Sequence, residues 1–154
     1  MTLAELRIVE ADASLVERWA LLRAALWPEE TLAEHREEAI AMLRSRDEAL
    51  AVFVALDASD AALGFAEAAI RADYVNGCDT SPVAFLEGVY VDPAARRIGC
   101  ARALVDAVAA WGRDSGCVEM ASDADITNAQ SHAFHEAVGL VETERVVYFR
   151  KPIG

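Results

Sequence analysis

The sequence predicts an α+β fold, a mixed and largely antiparallel sheet flanked by helices, in one domain over residues 1–154. Three observations predict it. Apolar runs of strand length, rich in Val, Ala and Phe, occupy residues 49–56, 63–71 and 83–91 in the middle of the chain. Stretches with helical periodicity lie on both sides of them. No Pro- or Ser-rich linker and no internal repeat divides the chain.

Leu6–Glu10 alternates apolar and polar residues and predicts a first strand. Asp12 or Ser14 caps a helix whose stripe is Leu15, Trp19, Leu22 and Leu26. Trp27-Pro28 ends it, because the residue before proline is pushed out of the helical region. Thr31 opens a second helix to about Arg46, with Glu34 completing a capping box and Glu34, Glu37 and Glu38 on an acidic face. Ala49–Leu56 and Leu63–Arg71 read as a hairpin around Asp57–Asp60. Tyr74–Pro82 is a turn-rich loop, and Val83–Val91 is a central strand stopped by Asp92-Pro93. A long amphipathic helix follows, with stripe Leu104, Val105, Val108 and Trp111 and its end at Gly116. Val118–Ala121 predicts a short strand, Asn128–Val138 a helix, and Leu140–Thr143 and Val146–Arg150 two last strands.

A chain of 154 residues buries enough surface to need no disulfide or metal staple. Asp and Glu total 26 against 14 Lys and Arg, a net charge of −12. Such a surface repels phosphate backbones, so no nucleic-acid partner is expected, and it attracts polycations. No apolar run approaches the ~20 residues of a spanning helix, so no membrane partner is expected. Met1–Asp12 lacks a basic segment leading into an apolar one, and Cys78, Cys100 and Cys117 lack redox or zinc spacing. The expectation is a cytoplasmic protein with reduced cysteines. No His/Cys/Asp cluster has metal spacing, and His35 and His132 read as surface or capping residues.

The segment that carries chemistry is Leu86–Pro93 followed by Arg96-Arg97-Ile98-Gly99-Cys100-Ala101. A strand enters a tight turn that opens the longest helix. Small residues at Gly99 and Ala101 let a ligand approach the backbone, and N–H groups at a helix start converge on phosphate oxygens. Glu87 stands in an apolar strand, where a buried acid is costly unless paired, and so points to function. Trp27 also suits a plug at a helix end, and Asp123 and Asp125 suit solvated loop acids or a helix cap.

Arg96-x-x-Gly99-x-Ala101 after Val-Tyr-Val-Asp-Pro resembles the acyl-CoA signature of the GNAT N-acetyltransferases. Further stretches resemble the chromosomal aminoglycoside 6′-N-acetyltransferases of that superfamily. They are Trp27-Pro28, Tyr74-Val75-Asn76-Gly77, Thr80-Ser81-Pro82, Phe85-Leu86-Glu87-Gly88, Ala121-Ser122-Asp123 and Glu142-Thr143-Glu144-Arg145-Val146. They run in order along nearly the whole chain.

The resemblance implies a GNAT-like fold and direct acetyl transfer from acetyl-CoA to the 6′-amine of an aminoglycoside, with antibiotic resistance as the consequence, no metal, and a homodimer. It places the pyrophosphate on Arg97, Ile98, Gly99, Cys100, Ala101 and Arg102, and the pantetheine arm along Val89, Tyr90 and Val91. Asn128 contacts the CoA arm. The acceptor falls to Trp27, Tyr74, Glu87, Asp123 and Glu144, with Glu87 as the base. Carboxylates suit an acceptor carrying several ammonium groups. Where many relatives place a tyrosine before the last Gly-Leu, this chain has His135, so the proton for the leaving thiolate is open among His135, Tyr148 and water. Two other readings use the same turn: acetylation of another small amine (a polyamine or an amino acid), and a non-catalytic acyl-CoA sensor.

Overall fold

A computed structural model describes residues 5–154. Met1–Ala4, where the stretch read for a leader begins, lie outside the described residues. The chain forms two compact units, one ending at Asp123 and one spanning Ala124–Gly154.

The first unit is built on a five-stranded sheet in chain order: β1 (Arg7–Glu10), β2 (Leu50–Leu56), β3 (Ala62–Arg71), β4 (Val83–Val91) and β5 (Met120–Ser122). Successive pairs from β1 to β4 are antiparallel, whereas β5 runs parallel to β4. The mixed, largely antiparallel sheet is thus the expected one. Three helices accompany it: α1 (Val16–Leu26), α2 (Leu32–Ser45) and α3 (Cys100–Asp114).

Local chemistry sets the helix ends. The Asp12 carboxylate accepts from the Ser14 N–H at 2.9 Å and starts a short 3-10 turn that runs into α1. Trp27, held before Pro28, leaves the helical region at φ −121°, ψ 75° and ends α1. The capping box of α2 forms as expected: Thr31 Oγ1 accepts from the Glu34 N–H at 3.2 Å, and Glu34 Oε2 accepts from the Thr31 N–H at 2.7 Å. Leu15, Val16, Trp19 and Leu22 pack with Ala39 of α2 on Val52, Val54, Leu56 and Phe65. The amphipathic α3 buries Leu104, Val105 and Val108. It lies so close to β4 that a Cβ at Gly112 would meet Ala84 Cβ at 2.7 Å. Because α3 begins just after the end of β4 and reaches Ala84 near its own end, it runs back along that strand.

The second unit contains α4 (Ala129–Ala137), where Asn128 Oδ1 accepts from the Ser131 N–H at 3.0 Å. The two last strands expected over 140–143 and 146–150 are not formed: residues 140–154 are neither helix nor strand. A strand persists only on a neighbour that takes up its N–H and C=O groups, and no register pairs this segment. Its apolar side chains Val141, Val147, Tyr148, Phe149 and Ile153 are exposed. Among the described residues, no helix is long and apolar enough to cross a membrane.

Candidate active site

The candidate site of the first unit is built around an irregularity in β4. Glu67 of β3 pairs with Gly88 and Ala68 pairs with Leu86, which leaves Glu87 as the extra residue of a β-bulge. A bulge bends its strand and re-aims one side chain. Glu87 is accordingly exposed while Val83 to Leu86 before it are buried. This corrects the expectation of a buried acid at position 87. Arg71 Nη2 donates to both carboxylate oxygens of Glu87, at 2.9 and 3.1 Å.

The parallel pairing of β4 with β5 covers only Ala84, Phe85 and Leu86 against Met120, Ala121 and Ser122. Beyond Leu86, β4 keeps its β3 neighbour through Val89, Tyr90 and Val91, and among the described residues no strand pairs with its other side there. Ser122 Oγ donates to the Leu86 carbonyl at 3.0 Å and closes the last rung. Glu87 follows Leu86, and the exposed Asp123 follows Ser122. Glu87 on β4 and Asp123 just past the end of β5 therefore stand where the pairing of the two strands stops.

The free side of β4 leads into the turn before α3. Arg96 is tied back to β4, with Nε donating to the Val91 carbonyl at 3.1 Å and its guanidinium 5.8 Å from the Tyr90 ring. Arg97 and Gly99 both take positive φ, 68° and 85°, which turns the chain sharply into the helix. Ala103 N–H to Gly99 O, at 3.0 Å, is the bond that begins the helical ladder, so the N–H groups ahead of it face outward from the helix start. No acidic residue occupies the first turn. Such a cradle, backed by a helix dipole, suits a diphosphate. Burial pushes the Cys100 thiol up to about 11, so it stays protonated and un-nucleophilic near neutral pH.

Trp27 and Tyr74 are held differently. The Trp27 ring lies directly over Gly88, where an added Cβ would come 2.5 Å from Cζ2. It stacks on His35 at 6.4 Å, meets Phe65 edge-on at 5.9 Å, and carries the Arg23 guanidinium 4.8 Å from its centroid. It is thus half-buried and serves both as a plug and as a wall beside residue 88. Tyr74 is 75% exposed on a loop pinned from below. Glu119 Oε1 accepts from the Asp79 and Thr80 N–H groups at 2.9 and 2.7 Å and from the Thr80 hydroxyl. These bonds hold the Glu119 carboxyl below its usual range. Val75 packs into the small core of Val83 and Phe85.

Behind Trp27 lies a buried polar network absent from the expected site. Glu67 accepts from Trp19 Nε1 at 2.9 Å and from Arg23 Nη1, while Arg23 Nη2 pairs with Glu38. Arg23 Nε donates to His35 Nδ1 at 3.3 Å, and His35 Nε2–H donates to the Trp27 carbonyl at 2.8 Å. Burial lifts the Glu67 carboxyl, opposed by the charge and hydrogen bond of Arg23. His35 is therefore a core residue and not the surface or capping residue expected, and Glu38 is an ion-pair partner and not part of a merely solvated face. Ligand atoms of Glu30, His35 and Glu38 lie within 4.8 Å of one another, a cluster that spacing did not suggest. The cation among them is the Arg23 guanidinium. The sequence did carry a signal: Arg23 sits four residues after Trp19 on an apolar stripe, and Glu67 interrupts an apolar strand.

In the second unit, Asn128 caps α4, and Glu144 lies exposed beside the Glu142–Arg145 ion pair. His135 Nδ1–H donates to the Ser131 carbonyl at 2.7 Å.

Known proteins resemble this chain in sequence and in fold. The acetyltransferase (GNAT) family profile matches residues 15–140. The aminoglycoside N(6′)-acetyltransferase type 1 of Serratia marcescens is 46% identical over 147 residues, covering 96% of this chain and 99% of the relative. The solved structure of AAC(6′)-Iy in complex with the bisubstrate analogue CoA-S-monomethyl-acetylneamine matches with a TM-score of 0.88 and 44% identity, covering 96% of this chain and 99% of that one. The crystal structure of AAC(6′)-Ih from Acinetobacter baumannii matches with a TM-score of 0.91 and 42% identity, over 97% and 99% of the two chains.

Proposed function

The chain belongs to the acetyltransferase (GNAT) family, and we infer that it is an aminoglycoside 6′-N-acetyltransferase that takes its acetyl group from acetyl-CoA. The observation that carries this reading is identity near 45% along almost the full length of such enzymes, one of them bound to a CoA–neamine bisubstrate. Acetylation removes a cation from the antibiotic, which accounts for resistance as the outcome. All 154 residues act as one N-acetyltransferase domain in this reading.

Acetyl-CoA uses the turn and the open strand. Backbone groups of Arg97, Ile98, Gly99, Cys100, Ala101 and Arg102 take the pyrophosphate, supported by the positive φ at Arg97 and Gly99. The pantetheine amides add to the free side of β4 at Val89, Tyr90 and Val91, as a peptide adds to a sheet edge. Asn128 contacts the CoA arm.

The acceptor's ammonium groups meet Glu87, Asp123 and Glu144, and its sugar rings meet Trp27 and Tyr74. Glu87, directly or through a water, takes the proton from the 6′-amine. The amine attacks the thioester carbonyl. A backbone N–H near Val89 holds the oxyanion, and the intermediate collapses to amide and CoA thiolate. His135, Tyr148 or water returns the proton to sulfur. The net charge of −12 draws the polycation in, an aid that fades with salt.

The working form is a homodimer in the cytoplasm. The exposed apolar side chains between Val141 and Ile153 support a second copy as their cover, and three free thiols support a reducing compartment. Release of free CoA from acetyl-CoA tests the function. Tobramycin should release it, and an analogue with a 6′-hydroxyl should not; equal release from both, or none from either, overturns the reading. For Glu87→Gln, kcat should fall by about 10²–10⁴ with acetyl-CoA affinity within about twofold of wild type.

A further inference from the structure

Among the described residues, Arg71 is the cation paired with the proposed base. It ends β3 and reaches across to β4, where Nη2 holds both oxygens of Glu87 at 2.9 and 3.1 Å. Its Cζ also lies 3.5 Å from the centroid of the Phe85 ring. That ring is 4% exposed and therefore fixed, whereas the two charged side chains are 43% and 38% exposed and free to exchange partners with a solute. The guanidinium thus has two seats, a carboxylate and an aromatic face, and losing one leaves the other.

We propose that Arg71 is the protein's own stand-in for the acceptor's ammonium group: it occupies Glu87 until a cationic acceptor displaces it, and so sets a threshold that every acceptor's affinity must overcome. The proposal rests on the reading that Glu87 meets the acceptor amine. An ion pair this open to water is weak, so displacement costs an acceptor no more than about fivefold in affinity. The factor is the same for every acceptor that binds Glu87, and a polycation meets the threshold with further carboxylates such as Asp123. A monoamine has no second contact with which to do so, and its single charge competes against a guanidinium held at high effective concentration. The face of Phe85 gives the displaced guanidinium a place to stay.

Calorimetry on the full chain with CoA bound tests this, with neamine as the polycation and 6-amino-6-deoxyglucose as the monoamine. Arg71→Gln should bind neamine about two- to fivefold more tightly than wild type. It should gain by about the same factor for the monoamine, so that the ratio of the two affinities is unchanged. Arg71→Lys should retain the wild-type pattern. In a Glu87→Gln background the same Arg71→Gln change should have no effect on neamine affinity. Unchanged or weaker neamine binding by Arg71→Gln overturns the proposal. So does an equal gain in the Glu87→Gln background, which would show a general charge effect and not displacement. Failure of the underlying reading is separate: Glu87→Gln would then keep wild-type turnover, whatever Arg71 does.

Discussion

Replacing Glu67 with leucine isolates what the buried network contributes. Glu67 and Arg23 are each 5% exposed, and Trp19, which donates to the same carboxylate, is fully buried. Glu67→Leu removes the acceptor of both donors at once. The Arg23 guanidinium keeps Glu38, but that partner is half-exposed and neutralises from one side only. Breaking a buried pair by removing one member costs about 3–5 kcal/mol, which includes the desolvation cost of the charge left behind. With a urea dependence of about 2 kcal/mol/M for a chain of this size, a loss of about 4 kcal/mol lowers the midpoint by about 2 M. Arg23→Met should cost a similar amount, because it strands the carboxylate. The double variant should cost less than the sum, since a site with neither charge leaves two orphaned polar groups, the Trp19 indole N–H and His35 Nδ1, each worth about 1–3 kcal/mol. Equilibrium urea unfolding followed by tryptophan fluorescence measures all three. Single costs below about 1 kcal/mol, or a double variant whose cost equals the sum, would refute the view that these charges hold each other in the core.

Two further perturbations separate cradle from loop. Gly99→Val places a β-branched residue at φ 85°, a strain of about 1–3 kcal/mol, and fills the space proposed for the pyrophosphate; acetyl-CoA affinity by calorimetry should fall at least about tenfold. Glu119 has a folded-state pKa below the ordinary 4.5, because Thr80 and Asp79 donate to it, so its contribution is present above that value and is lost as pH falls through the lower one. Glu119→Gln should flatten this acid-side loss and speed hydrogen exchange at the Asp79 and Thr80 amides; unchanged exchange would mean that the Tyr74 loop is held by other contacts.

Much of the fold was legible because local chemistry and burial agreed. The Thr31/Glu34 capping box, the Trp27-Pro28 stop and the apolar stripe of α3 each specify a boundary with residues a few positions apart. The turn at Arg97–Gly99 was legible for the same reason, since small residues between a strand and a long helix have few other uses. The C-terminal strands were not. Val146 to Phe149 has strand composition, yet composition names no partner, and a strand without a register stays unpaired.

Glu87 and Glu67 show where reading by composition stops. Both are acids within apolar strands, and on sequence alone the same rule applies to both: an acid there is buried and in need of a partner. The bulge assigns them opposite fates. Gly88 takes the register position opposite Glu67, which leaves Glu87 outside the pairing and in reach of Arg71 and solvent, while Glu67 stays inside with Arg23 and Trp19. A one-residue shift in pairing carries a side chain to the other face of a sheet, and nothing local in Leu86-Glu87-Gly88 announces it. The glycine is the nearest thing to a signal. Its missing side chain lets Trp27 lie on the strand next to the bulge. The network that holds Trp27 through His35 is anchored on Glu67, the residue paired with that glycine. The buried acid thus shapes the wall beside the exposed one, so a single register shift supplies both the proposed base and the surface next to it.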